Sequence, residues 1–108
     1  MPLTRSFKQT VQARAEKDSA FRAALLSEGI EALLGGDVET GKAVLRDFIN
    51  ATIGFDELAI ATDMSPKSLM RMFGPEGNPQ ASNLFAIIGH LQKVEKVELE
   101  VRAARRRG

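Results

Sequence analysis

Residues 55–73 read FDELAIATDMSPKSLMRMF, and the fold turns on how this stretch divides. Asp56 to Thr62 has the pattern of a short helix with Leu58 and Ala59 inward. Asp63-Met64 reads as a turn. Ser65 is a good N-cap, because its hydroxyl can accept a free backbone N–H at the start of a helix. Pro66 then occupies the first helical position, where its missing N–H does no harm. Lys67 to Phe73 follows as a second short helix with Leu69, Met72 and Phe73 apolar.

Two short helices joined by a tight turn, set among other helices, make the plan of a helix-turn-helix over residues 55–73. The plan has positional demands. A small residue must stand where the second helix crosses the first, and Ala59 supplies it. The turn needs a residue tolerant of the left-handed conformation; glycine is usual, and Asp63 stands there instead, a type that visits this region more readily than most. Met64 plugs the turn, and Leu69 and Met72 pin the second helix. With these inward, Ser65, Pro66, Lys67, Ser68, Met70 and Arg71 form the outward face. Lys67 and Arg71 lie four apart, on one side of the helix. In this geometry the early residues of the second helix meet base edges in the major groove. Pro66, Lys67, Ser68, Met70 and Arg71 are therefore the candidate base contacts, since arginine and lysine can reach guanine. Ser65, Asn78, Gln80, Ser82 and Asn83 are the candidate phosphate contacts, the last four lying at the positively polarised start of the following helix.

Outward from this unit the punctuation is helical. Ser6 to Lys17 places Phe7, Val11 and Ala15 on one side. Asp18-Ser19 offers a cap for a helix bearing Phe21, Leu25, Leu26, Ile30, Leu33 and Leu34, a stripe with helical period. Gly35-Gly36 stops it, since glycine takes the left-handed cap conformation at no steric cost. Asp37 caps the next helix, Val38 to about Thr52, whose stripe is Val38, Gly41, Val44, Leu45, Phe48 and Ile49; Gly54 closes it. On the other side, Gly74 to Gly77 is a loop, and Asn78 is expected to cap a helix from Pro79 that buries Leu84, Ile87, Ile88 and Leu91. After Gln92 the period becomes two: Val97, Leu99 and Val101 alternate with Glu98 and Glu100, which reads as a strand. A lone strand in a helical domain needs a partner for its backbone, and the same strand of a second subunit would supply one. The competing reading extends the last helix through Val101. The expected organisation is an N-terminal helix or arm over 1–17, a DNA-binding domain over 18–93, and a C-terminal strand and basic tail over 94–108.

Composition narrows the function classes. One domain fits 108 residues, and 44% hydrophobic content supplies a core. The absence of cysteine removes disulfides, thiolate metal sites and thiol nucleophiles. No apolar run approaches the ~18 residues of a membrane span, and Met1 to Val11 lacks the apolar stretch of a signal peptide; the expectation is a cytoplasmic protein without membrane contact. His90 is the single histidine, so it has no second imidazole with which to share a metal. Asp37, Glu39 and Asp47 have no partner of complementary role, and LLGGD at 33–37 lacks the lysine and hydroxyl of a phosphate loop. Neither an enzyme nor a cofactor or metal site is expected.

The net charge of +1 is no nucleic-acid signature, but the charges are unevenly spread. Basic residues gather at the two ends: Arg5, Lys8, Arg14, Lys17 and Arg22, then Arg102, Arg105, Arg106 and Arg107. Solubility explains such ends as well as contact does. Within the motif, Asp56 and Glu57 count against a strongly electrostatic binder, and Phe55 offers no polar contact.

From Phe21 to Val101 the chain resembles the HigA-like addiction-module antidote proteins, with a λ-repressor-type DNA-binding fold. The likeness is carried by LLGGDVETGKAVLRDFINATIG (33–54), by the 55–73 unit, and by GPEGNPQASNLFAIIGHLQ (74–92) with its Gly77-Asn78-Pro79 before the last helix and the alternating segment after it. The resemblance implies an all-α bundle of five to six helices, dimeric through its C-terminal strand. It further implies a repressor of its own operon, bound to double-stranded operator DNA, that also neutralises a RelE-like toxin. The alternative is a protein-interaction module that keeps the fold without specific DNA binding.

Overall fold

The computed structural model describes residues 3–106, with side chains from residue 9 onward. Met1, Pro2, Arg107 and Gly108 lie outside the described residues, as do the side chains of Arg5, Phe7 and Lys8. The chain forms α1 (Leu3–Lys17), α2 (Ser19–Leu34), α3 (Val38–Ala51), α4 (Phe55–Thr62), α5 (Pro66–Met72) and α6 (Ala81–Glu95). This is an all-helical bundle, and the described residues contain no strand.

The caps follow local chemistry. Asp18 accepts the N–H of Phe21, and Asp37 that of Thr40, so each carboxylate satisfies one orphan donor of a first turn. At the end of α2, Gly36 rather than Gly35 takes the positive φ, 88° against −77°.

Helices α2 and α3 form an antiparallel pair that meets through glycines. A Cβ on Gly41 would lie 2.6 Å from Leu33 Cδ2 and 3.1 Å from the Gly29 carbonyl, and one on Gly29 would lie 3.0 Å from Leu45. The side chains on either side can therefore interdigitate without a void. The buried cluster grows from this pair: Leu26 of α2, Leu45, Phe48 and Ile49 of α3, Phe55, Leu58 and Ala59 of α4, Leu69 and Phe73 at α5, and Ile87 and Leu91 of α6. Burying each leucine, isoleucine or phenylalanine of this cluster is worth about 1.5–3 kcal/mol. The stretch expected as an N-terminal helix or arm is a packed helix: α1 touches α2 and α3, and Ala15 is fully buried.

Two boundaries depart from expectation. The last helix starts at Ala81, not Pro79, with Gln80 rather than Asn78 in the cap position and no side-chain cap bond. Gln80 is extended, at ψ 144°, because the chain needs Asn78, Pro79 and Gln80 to bridge from the Gly74–Gly77 loop to the start of α6. The C-terminal segment forms neither helix nor strand. Lys96, at φ 57°, ends α6 in the left-handed conformation, and its N–H bonds back to Gln92 and Lys93, which excludes a continuing helix. Beyond it Val97 and Leu99 are half-buried against the core while Glu98 and Glu100 face solvent, so the period of two is real. Its first backbone donors turn back onto α6: Val97 N–H reaches the Gln92 carbonyl at 3.0 Å, and Leu99 N–H reaches Gln92 Oε1 at 2.8 Å. A single chain offers no second strand with which to form a ladder.

The α2–α3 contact yields a stability prediction. Gly41→Val would drive a branched side chain into Leu33 and the Gly29 carbonyl, and overpacking of this kind costs about 1–3 kcal/mol. Chemical denaturation should show a lower midpoint with unchanged slope. An unchanged midpoint would mean that the two helices can separate freely.

Candidate nucleic-acid interface

Helices α4 and α5 meet at the turn expected of them. Asp63 sits at φ 55°, ψ 45°, and its N–H closes onto Ala59 and Ile60. Met64 N–H also bonds to the Ala59 carbonyl, at 3.0 Å. Ser65 caps α5: its hydroxyl accepts Ser68 N–H at 3.1 Å and donates to Ser68 Oγ at 2.8 Å. Pro66 stands in the first turn. Leu58, Ala59 and Leu69 are buried, and Met64 and Met72 pack on the core from partly covered positions. Of the six positions expected to carry the motif, Leu58, Ala59 and Leu69 lie in the core, Met64 and Met72 against it, and Asp63 in the left-handed turn.

The consequence is one exposed face. Pro66, Lys67, Ser68, Met70 and Arg71 are all exposed. Met70 is 56% exposed, although it is apolar. Around the start of α6, Asn78, Gln80 and Ser82 are exposed and Asn83 is half-buried. The cap carbonyl of Gln80 takes Leu84 N–H, while the first N–H groups of α6 have no acceptor within their own helix. Ser65 is the partial exception among the expected phosphate contacts, since its hydroxyl already serves α5 as the cap. Asp56 and Glu57 are exposed in the first turn of α4, whose cap residue Gly54 offers no side chain. Their negative charge there complements the positive end of the helix, which accounts for acidic residues beside a face expected to meet DNA. Phe55 belongs to the core, its ring 6.2 Å from that of Phe73.

Several basic residues are committed to contacts within the chain. Arg22 pairs with Glu95 at 2.8 Å and donates to the Ala15 carbonyl at 2.7 Å, tying α2 to the ends of α1 and α6. Arg14 lies 4.8 Å over the Phe21 ring. Lys42 is buried, donating to the carbonyls of Gly74 and Gly77 and pairing with Glu39. The apolar stripe of α3 could have revealed Lys42: positions 38, 41, 42, 45 and 49 share one face. His90 is half-buried, and no cluster of potential metal ligands occurs among the described residues. Nor, among them, is any helix long and apolar enough to cross a membrane. Arg102, Arg105 and Arg106 are exposed.

Comparison of the chain with models of protein families, with curated proteins and with solved structures finds no match.

The turn can be tested directly. Asp63→Val should destabilise by about 1–2 kcal/mol, because a β-branched residue is poorly tolerated at this φ. Asp63→Gly should hold stability within about 1 kcal/mol. Equal melting temperatures for the two variants would show that the turn does not depend on the left-handed residue.

Proposed function

We propose that the protein is a sequence-specific DNA-binding regulator that reads its operator with the exposed face of α5. The observation that carries this reading is the pairing of a pinned α4–α5 turn with five exposed positions on α5, arranged around the buried Leu69. Lys67 and Arg71 would contact guanine, Ser68 a base or phosphate, and Met70 a thymine methyl. Asn78, Gln80 and Ser82 would meet phosphates at the start of α6. The bundle is taken to be λ-repressor-like on the strength of the resemblance in residues 21–101.

The active form is proposed to be a homodimer. The alternating segment 97–101 lies against the core through Val97 and Leu99, while Val101 is 81% exposed. Pairing with the same segment around a two-fold axis would give its backbone the ladder it lacks. It would also set two α5 helices about 34 Å apart, in successive major grooves. The resemblance extends the proposal to a cytoplasmic autorepressor and antitoxin whose protein partner is a RelE-like toxin; that partner rests on the resemblance alone. A second reading, an interaction module without specific DNA binding, draws on Ile60, which is 82% exposed on α4 near Asp56 and Glu57.

A mobility-shift titration separates the two. The protein is tested against DNA upstream of its own gene and a scrambled control at about 150 mM salt. Preferential sub-micromolar binding supports the regulator, and equal weak binding to both DNAs supports the interaction module. Arg71→Ala should cost about 1–3 kcal/mol in operator affinity and relax specificity at one base position. For the dimer, Val101→Pro removes a backbone donor from an exposed site. Sedimentation at micromolar concentration should shift toward monomer, and an unchanged dimer would place the interface elsewhere.

A further inference from the structure

Lys42 is a charged residue buried in the fold, at 2% exposure. Lysine is almost never buried without a compensating partner, because the ammonium must give up its water. Here all three ammonium protons have acceptors: the Gly77 carbonyl at 2.7 Å, the Gly74 carbonyl at 3.0 Å and Glu39 Oε2 at 3.0 Å. The ammonium therefore has no donor left for a ligand. Two of its partners, however, are the two ends of one loop.

That loop joins the two parts of the proposed DNA-binding surface. It leaves α5 just after Arg71 and Met72, and it delivers Asn78, Gln80 and Ser82. It is also held from its other side. A Cβ on Gly77 would strike the Arg71 carbonyl and come within 2.6 Å of the Met72 carbonyl, so the loop lies directly on the last turn of α5. Arg46 Nη1 adds a long bond, 3.5 Å, to the Phe73 carbonyl. Helix α3, the end of α5 and the approach to α6 are thus locked by one side chain that is itself withdrawn from the surface.

We propose that Lys42 is a positioning residue for DNA binding, fixing the register between the base-reading face of α5 and the phosphate-facing start of α6. This inference rests on the regulator reading above. Without the tether, Lys67 and Arg71 remain on α5, but the groups from residues 78–82 no longer meet the backbone phosphates at the matching spacing.

The test compares Lys42→Met, Gly77→Ala and Arg71→Ala with the wild-type protein on the same upstream DNA fragment, with circular dichroism confirming helix content. Lys42→Met removes the tether, and Gly77→Ala displaces the loop while leaving Lys42 in place. Both should bind about tenfold more weakly at about 150 mM salt. The slope of log affinity against log salt should become shallower by about 1 or more, reporting lost phosphate contacts. The penalty for a base change in the site should stay as in wild type, whereas Arg71→Ala should relax it. A merely structural role for Lys42 would lower the melting temperature without moving the salt slope. Wild-type affinity and slope in the folded variants would overturn the proposal; should Lys42→Met fail to fold, Gly77→Ala decides alone. If Arg71→Ala weakens binding and these two do not, only the role of Lys42 falls. If the wild-type protein shows no preference for the fragment, the regulator reading falls, and this inference with it.

Discussion

The close approach of α2 and α3 at Gly29 and Gly41 is the constraint on which the other contacts depend. Each glycine leaves room for a leucine of the facing helix, Leu45 against Gly29 and Leu33 against Gly41. Once the helices meet, Leu26, Leu45, Phe48 and Ile49 present a continuous apolar wall. The short helices α4 and α5 could not hold their shape alone, because helices of 8 and 7 residues have too few internal bonds to offset the cost of nucleation. They exist because Leu58, Ala59, Leu69 and Phe73 dock on that wall. The exposed face of α5 is the remainder of this docking, so its orientation is set by apolar contacts it does not itself make.

Electrostatics in this molecule divides into an internal and an external part. Arg22 and Lys42 serve as cross-links between elements, and Arg14 covers an aromatic ring. The paired charges of Arg22 and Lys42 contribute little to the field around the surface, whereas the Arg14 side chain is 65% exposed. What remains on α5 is Lys67 and Arg71, and the neighbouring helix α4 carries the exposed carboxylates Asp56 and Glu57. A surface of this kind favours short-range contacts over long-range attraction, consistent with the net charge of +1. The exposed arginines at 102, 105 and 106 are the main concentration of positive charge outside the bundle. Buried polar side-chain atoms in the described residues all have partners, so the internal cross-links carry no unmet bonding cost.

Read alone, the sequence determined the elements whose causes are local. The caps Asp18, Asp37 and Ser65 act within three residues, and the apolar periods of α2, α3 and α6 repeat within a few turns; each is visible in a short window. The motif positions Ala59, Asp63, Met64 and Leu69 were legible for the same reason, and with them the exposure of Lys67, Ser68 and Arg71. Tertiary structure decided what depends on groups far apart in the chain. The start of α6 moved from Pro79 to Ala81 because a loop tied to α3 must first be spanned. The buried role of Lys42 depends on carbonyls 32 and 35 residues away, and that of Arg22 on a carboxylate 73 residues away. The segment after Lys96 showed its period of two in the sequence, yet a strand is a relation between two segments and one chain supplies only one of them. Local patterning is written residue by residue, whereas a buried charge or a sheet edge is defined by its partner, and the partner is fixed only when the chain has folded.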